Sequence, residues 1–508
     1  MQLPSRSVRS LHGAQPSSRW RKPHAFTWLT TTPQDIDPED ILSSLSNVPS
    51  TTVEDPTIVS GVDFATLLVV TPGFAHWIDP ANSFLERLVD RLSFQHSVLR
   101  SIPFRYAVAA VVDKIPDPSG AGHEKLGAED GAYEGLSLLM VEPHEVQWKA
   151  APPRRIGGTA GEEPSLVVSL QSEVEKPSPR GAAHEIGLRL AHTVFTNGKD
   201  RTFLGMRFTA NEGDPEHLSY SMDKLVDLSS CLVTTKSTSP TIRPTFPLDP
   251  VTPRRKVITS MGNILRQVAK STDPNSLEPM PASQELEKEL PRYIDEHEIV
   301  DHRVSVWALV EKSHFEVCDS ESPQERVQRS LEQGGRLHRV MSGGGGWGKK
   351  QGLLSLDPEM SFPGVSYRDE PTLLDCVFDP TAEAPQDMPF PFEWEIAGDD
   401  LSHLSQVAAA GDLIQFFVST PPSHTTVPAL DSGLTYCFGI VSDADEPEAA
   451  PASNGHRKRL VTVPNTFGAL SETAIAYSQP VGPTAAGLRS STKLDIPGFR
   501  VVFLPENQ

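Results

Sequence analysis

The chain has 508 residues, with 45 basic against 66 acidic side chains and a formal net charge of −21. That length exceeds what one hydrophobic core normally fills, so two domains with tails are expected. The negative balance argues against a general nucleic-acid binder, because phosphate contacts dominate that affinity, and no DNA partner is expected. Cys231, Cys318, Cys376 and Cys437 stand far apart without a Cys-x-x-Cys pair. That spacing disfavours a disulfide framework or a zinc cluster, and each reads as a small buried hydrophobe. No apolar run approaches the roughly 18–20 residues that span a bilayer, so any membrane contact would be peripheral.

Residues 1–34 carry Arg6, Arg9, Arg19, Arg21 and Lys22, are rich in Ser and Thr, and precede the first carboxylate, Asp35. A helix there would separate Arg6 and Arg9 from Val8 and Leu11. This is the pattern of a mitochondrial presequence, expected to be disordered and excluded from the folded part. It implies a location in the matrix or on the matrix-facing surface of the inner membrane. Without those five basic residues the balance is 40 against 66, or −26.

Residues 50–235 read as an α/β domain. Phe64 to Thr71 is a β-branched apolar run, hence a buried strand. Asp79 and Pro80 supply a helix start, and Phe84, Leu85, Leu88 and Leu92 follow at helical spacing. Tyr106 to Val112 is the next strand. A strand–helix–strand unit implies a parallel pair. The loop Thr71 to His76 lacks Gly-x-Gly-x-x-Gly, so no dinucleotide site is expected there; His76 and Trp77 read as local packing. Strands are expected at 135–141 and 166–170. Asn197-Gly198-Lys199-Asp200 predicts a hairpin joining 188–196 to 202–209.

Residues 236–290 read as a connection. Pro240, Pro244, Pro247, Pro250 and Pro253 predict an extended linker. Val257, Ile258, Met261, Ile264, Leu265 and Val268 have helical spacing behind Arg254-Arg255-Lys256, a basic amphipathic helix for a domain surface, a partner or an anionic membrane. A second, more polar helix is expected at 284–293.

Residues 291–508 read as an α+β domain. Val304 to Val310 is a strand. Ser322-Pro-Gln-Glu325 is a capping box that starts a helix, with Val327 and Leu331 as its apolar stripe and Gly334-Gly335 as its stop. Strands are expected at 413–418, 434–441, 460–463 and 499–504. The fold class is therefore α+β, a mixed α/β chain of two sheet-containing domains joined by a Pro-rich and helical connection.

Chemistry concentrates in the glycine-rich loop 342–352. The candidate ligand or anion-binding residues are Ser342, Gly343, Gly344, Gly345, Gly346, Trp347, Gly348, Lys349 and Lys350. Gly343 to Lys349 matches Gly-x-x-x-x-Gly-Lys, but Lys350 stands where a P-loop needs Ser or Thr for magnesium. Neither a leading strand nor a trailing helix is expected around it. Exposed amides, two lysines and an indole could still hold phosphate and stack a base. Asp295 to His302 spaces His297 and His302 by five, about 140° apart on a helix, so it reads as a charged surface turn rather than a zinc site. No Gly-x-Ser-x-Gly elbow occurs. No catalytic residue, metal or cofactor is assigned.

Leu337-His-Arg-Val-Met-Ser-Gly-Gly-Gly-Gly-Trp-Gly-Lys-Lys-Gln-Gly-Leu-Leu-Ser-Leu-Asp-Pro358, with His192-Thr-Val-Phe-Thr-Asn-Gly-Lys199, resembles a family of fungal mitochondrial proteins of unassigned biochemistry. The resemblance implies a mitochondrial location. The strand–helix–strand unit with Gly135-Leu-Ser-Leu-Leu139 is also similar to FIST-type sensory domains, an architectural likeness. The expected function is a non-enzymatic mitochondrial factor that binds a protein complex or a ribosome–RNA assembly in organellar gene expression or complex assembly. The rival is an enzyme or sensor binding a phosphorylated small molecule or nucleotide at the glycine-rich loop.

Overall fold

The structure is a computed structural model that describes residues 24–45, 64–95, 103–127, 131–151, 164–172, 183–191, 202–211, 219–237, 241–273, 275–299, 304–313, 322–343, 352–359, 372–373, 378, 406–421, 433–442, 460–480 and 489–504. It is mainly β with some helix. Among the described residues the strands form sheets of 14, 8 and 4 strands. No helix among them is long and apolar enough to cross a membrane.

The expected strand–helix–strand unit is present. Ala65–Val70 pairs in parallel with Phe104–Val111, with the helix Phe84–Gln95 between them in the chain. Both strand faces are buried, which is why the run is continuously apolar. Leu68, Val70, Ala107 and Ala109 pack toward the helical layer with Phe84, Leu88 and Trp77. Leu67, Val69, Val108 and Ala110 belong to a second core with Phe438, Phe467 and Val501. The period of two divides one strand between two cores.

The expected disordered presequence of residues 1–34 needs correcting at its end. His24–Thr30 is a strand between Ala132–Val141 and Val461–Pro464. Ala25 and Leu29 are fully buried and Trp28 nearly so. The largely apolar run Ala25-Phe-Thr-Trp-Leu29, buried on both faces, outweighs the basic composition that precedes it. Gly135 makes the pairing possible, since a Cβ there would lie 1.9 Å from the Trp28 carbonyl oxygen. Residues 1–23 lie outside the described residues.

Strands from both expected regions intermix. Ile475–Pro480 pairs with Ala183–Arg189, and Arg500–Leu504 pairs with Thr241–Thr245. Among the described residues the expected pairing of 188–196 with 202–209 is not found. Ala183–Arg189 pairs with Ser165–Ser172 and Ile475–Pro480, whereas Phe203–Ala210 pairs with Phe104–Val111 and Tyr220–Ser237. The turn residues 197–200 lie outside the described residues.

The expected linker and helix at 236–268 are strands. Thr241–Thr245 tolerates Pro244 because it is an edge strand. Arg255–Met261 and Ile264–Ala269 form a hairpin about Gly262 (φ 59°) and Asn263. Apolar residues in this stretch fit both periods, and the Gly-Asn turn decides for β. The basic amphipathic helix and its surface for a membrane are thereby withdrawn. The second helix is present, as Ala282–Glu296.

This hairpin opens a closed barrel. Arg255–Met261, Ile264–Ala269, Leu354–Leu356, Arg336–Gly343, Val306–Glu311 and Leu413–Ser419 pair antiparallel in that order, and the last returns to the first. Val306, Ala308, Val310, Phe416 and Val418 point inward, where Ala282 and Leu286 of the helix join them. The alternate residues Trp307, Leu309, Leu337 and Phe417 enter the main core with Val327 and Leu331. Those last two lie on the helix Pro323–Glu332, which begins at the expected Ser322–Glu325 capping box.

Candidate functional site

The barrel helix and two barrel strands leave a groove of about 490 Å³ between them. Ser283, Leu286, Glu287 and Leu290, spaced as one helical stripe, form one wall. Val304, Ser305 and Val306, with Arg339 to Ser342, form the other, and Leu354 contributes from the neighbouring strand.

The glycine-rich loop starts at the rim of this groove. Ser342 and Gly343 end the Arg336–Gly343 strand, opposite Ser355 and Leu354. Ser342 lines the groove. Gly344, Gly345, Gly346, Trp347, Gly348, Lys349 and Lys350 lie outside the described residues, so the structure brings only the first two candidates to the groove. The expectation that no strand leads into the loop is corrected, because one ends at Gly343. A strand, Leu354–Leu356, also follows where a P-loop requires a helix. The loop therefore joins two antiparallel strands.

Both roots of this hairpin are irregular. Pairing passes from Val340 opposite Leu356 to Ser342 opposite Ser355, so Met341 is the extra residue of a bulge. Met341 is 61% exposed. On the return side Gly352 has φ 85°, and a Cβ there would stand 3.0 Å from Pro281. Its carbonyl accepts from the Ser283 N–H at 3.4 Å. The loop is thus anchored beside the first turn of the helix.

Arg339 is a cationic residue of the Arg336–Gly343 strand, and its side chain shares the face of its cross-strand partner Trp307. Its Nη2 donates to Ser305 Oγ at 2.9 Å, and its guanidinium lies 3.9 Å from the Asp495 carboxylate and 5.8 Å from the Trp307 ring centre. Burial pushes the Asp495 carboxyl above its ordinary range, although the Trp307 N–H and two nearby cations oppose the shift. Behind it, Lys493 bridges Asp357 at 2.7 Å and Glu359 at 2.6 Å, and Arg189 reaches Glu359 at 2.6 Å. Burial opposes the charged Lys493, but hydrogen bonds to these two carboxylates raise its pKa overall. His338 is buried beside them, its Nδ1–H donating to the Asp357 carbonyl at 2.9 Å. Desolvation lowers its pKa to about 4. These groups fasten the barrel to the strand Arg489–Leu494 and the residue after it.

The other sequence candidates are structural. Trp77 packs on Phe74 and Phe84 with ring centres 4.9 and 4.7 Å away, as the local reading expects. Glu134 ties down the turn before it, accepting from Thr71 Oγ1 at 2.5 Å and from Lys114 at 3.0 Å. His297 stacks on Tyr293 at 3.9 Å; residues 300–303 lie outside the described residues. No group of three metal-ligating side chains gathers among the described residues. Cys231 and Cys437 are buried, and burial raises both thiols. Sequence reasoning missed Arg339 and the wall from Ser283 to Leu290. The helical stripe was readable, but the strand that faces it is supplied by barrel closure. Comparison with protein-family models, curated proteins and solved structures returned no match.

Proposed function

We propose that this chain acts by binding, and that it holds a small phosphorylated or otherwise anionic molecule at the barrel rim, between the groove and the hairpin carrying Ser342 to Lys350. One observation carries this reading: a groove of about 490 Å³ opens beside both roots of that hairpin. The volume falls within the roughly 300–1,000 Å³ range of small-molecule sites, and its walls combine apolar surface with a few polar groups. Lys349 and Lys350 follow the glycines in sequence and would supply positive charge opposite such an anion. The test is thermal unfolding with a panel of nucleotides and phosphorylated metabolites. A ligand should raise the melting temperature, and Lys349→Ala with Lys350→Ala should reduce the shift. No shift with any ligand, anionic amphiphiles included, overturns the reading.

A second reading is an accessory factor in organellar gene expression or complex assembly, partnered by a protein complex or a ribosome–RNA assembly. The acid-free basic stretch before Asp35 and the resemblance of Leu337 to Pro358 favour it. Because His24 already begins a strand of the large sheet, a leader would end by residue 23. A reporter fused to residues 1–23 should enter mitochondria, and the full chain should cosediment with a large assembly. A cytosolic reporter and a chain migrating only as a free monomer would overturn this second reading.

A further inference from the structure

We propose that the groove takes an apolar molecule bearing a neutral carbonyl, whose oxygen accepts from the Ser283 hydroxyl while its hydrocarbon lies between the helix stripe and the inner barrel wall. The inference rests on the small-molecule reading above and specifies the part of the ligand that enters the groove.

The slot lies on one face of the barrel wall. Leu286, Val306 and Leu354 belong to the barrel's inner core, and Leu290, Val304 and Val340 pack against it. All six line the groove. They offer hydrocarbon contacts and no hydrogen bond, so they suit an alkyl or aryl body.

Ser283 heads the same helical stripe, one turn before Leu286 and Glu287 and two before Leu290. It is 1% exposed, and its Oγ is buried without a hydrogen-bond partner among the described residues. A buried hydroxyl left unpaired costs free energy that a bound acceptor returns. The Ser283 N–H is engaged by the Gly352 carbonyl, so the hydroxyl is the group left for a ligand. Ser283 also stands in the first turn of the Ala282–Glu296 helix, which no side chain caps. The positive end of the helix dipole there favours an acceptor.

Glu287 decides the charge of that acceptor. Its side chain lines the same groove and is exposed. One helical turn separates it from Ser283, so a carboxylate or phosphate on the serine would stand about 6 Å from another negative charge. A neutral carbonyl avoids that repulsion. The anionic part of the ligand named above therefore stays outside the slot.

The full chain should be titrated by ligand-observed NMR with acetophenone, with its isostere α-methylstyrene, which has CH2 in place of the oxygen, and with benzoate. Ser283→Ala should weaken acetophenone about fivefold and leave α-methylstyrene unchanged. The same substitution should not lower the melting temperature of the unliganded protein, because it removes an unpaired buried hydroxyl; a serine that served only the fold would lower it. Leu290→Ser should weaken both neutral compounds. Benzoate should bind less tightly than acetophenone and gain affinity in Glu287→Gln. Equal changes for acetophenone and α-methylstyrene in Ser283→Ala overturn the hydrogen bond, and benzoate binding tighter than acetophenone overturns the neutral head; both leave the binding function intact. So does a nucleotide-induced thermal shift without binding of any aryl compound, which overturns this inference alone. Absence of binding by both ligand sets overturns the two together.

Discussion

Trp307 donates its indole N–H to the Asp495 carboxylate at 2.7 Å, joining a barrel strand to the residue after Arg489–Leu494. Both residues are largely buried, so the bond is sheltered from water. Trp307→Phe keeps most of the packing and leaves a buried carboxylate short of a donor. It should cost about 1–3 kcal/mol. Asp495→Asn keeps an acceptor for the indole and should cost less. Urea unfolding of the three proteins measures the order.

His338 sets a second test, in pH. Its folded pKa of about 4 lies below its unfolded value, because burial and the charges of Arg336 and Lys493 outweigh the Asp357 carbonyl. The unfolded chain then binds a proton first as pH falls, so stability drops between about 6.5 and 4. The contribution is about 3 kcal/mol at most over that interval. Asp357 adds loss only at lower pH. Burial opposes its charge, but the Lys493 and Glu359 N–H bonds outweigh burial and hold it below the ordinary carboxylate value. Asp495 works in the opposite sense, since its raised pKa favours folding as it protonates. His338→Gln retains a donor for the Asp357 carbonyl and should flatten stability against pH between 6.5 and 4.5.

A third test separates leader from core. Deleting residues 1–23 should leave the unfolding midpoint nearly unchanged. Deleting through Thr30 removes Ala25, Trp28 and Leu29 from the core together with a strand paired on both sides. Loss of Trp28 packing alone would cost about 3–5 kcal/mol, so the longer deletion should not fold. Circular dichroism and expression in soluble form read both. Gly135→Ala should act like the longer deletion, because the added Cβ meets the Trp28 carbonyl.

These elements also show where the sequence was readable. Ala65–Val70 with Phe84–Gln95, and the Ser322–Glu325 capping box, are local signals that tertiary structure leaves in place. His24–Thr30 is hidden by its basic neighbours, because its seven residues are short beside an acid-free stretch of presequence-like composition. Val257, Ile258, Met261, Ile264, Leu265 and Val268 satisfy a helical stripe and two short strands alike, and only Gly262-Asn263 distinguishes them. The pairing of Thr241–Thr245 with Arg500–Leu504 closes over about half of the chain and has no local signature. The groove was illegible for the same reason. Ser283 and Arg339 are brought to one groove by closure of six strands, not by any motif.

Gly352 provides the last test, at the return root of the glycine-rich hairpin. Its φ of 85° belongs to the left-handed region, and a Cβ would press on Pro281 at 3.0 Å. Gly352→Ala should therefore cost about 1–2 kcal/mol from backbone strain. Relief of that strain moves Gly352 away from Pro281 and weakens the Ser283 N–H bond to its carbonyl, which ties the loop to the helix. If the loop and the groove hold one ligand, the same substitution should reduce the ligand-induced rise in melting temperature. Gly262→Ala is the control: it places a Cβ in open space at a φ of 59°, in the turn of a different barrel hairpin. It should cost a similar amount of stability and leave the ligand shift unchanged. Equal ligand shifts in both variants would separate the loop from the groove.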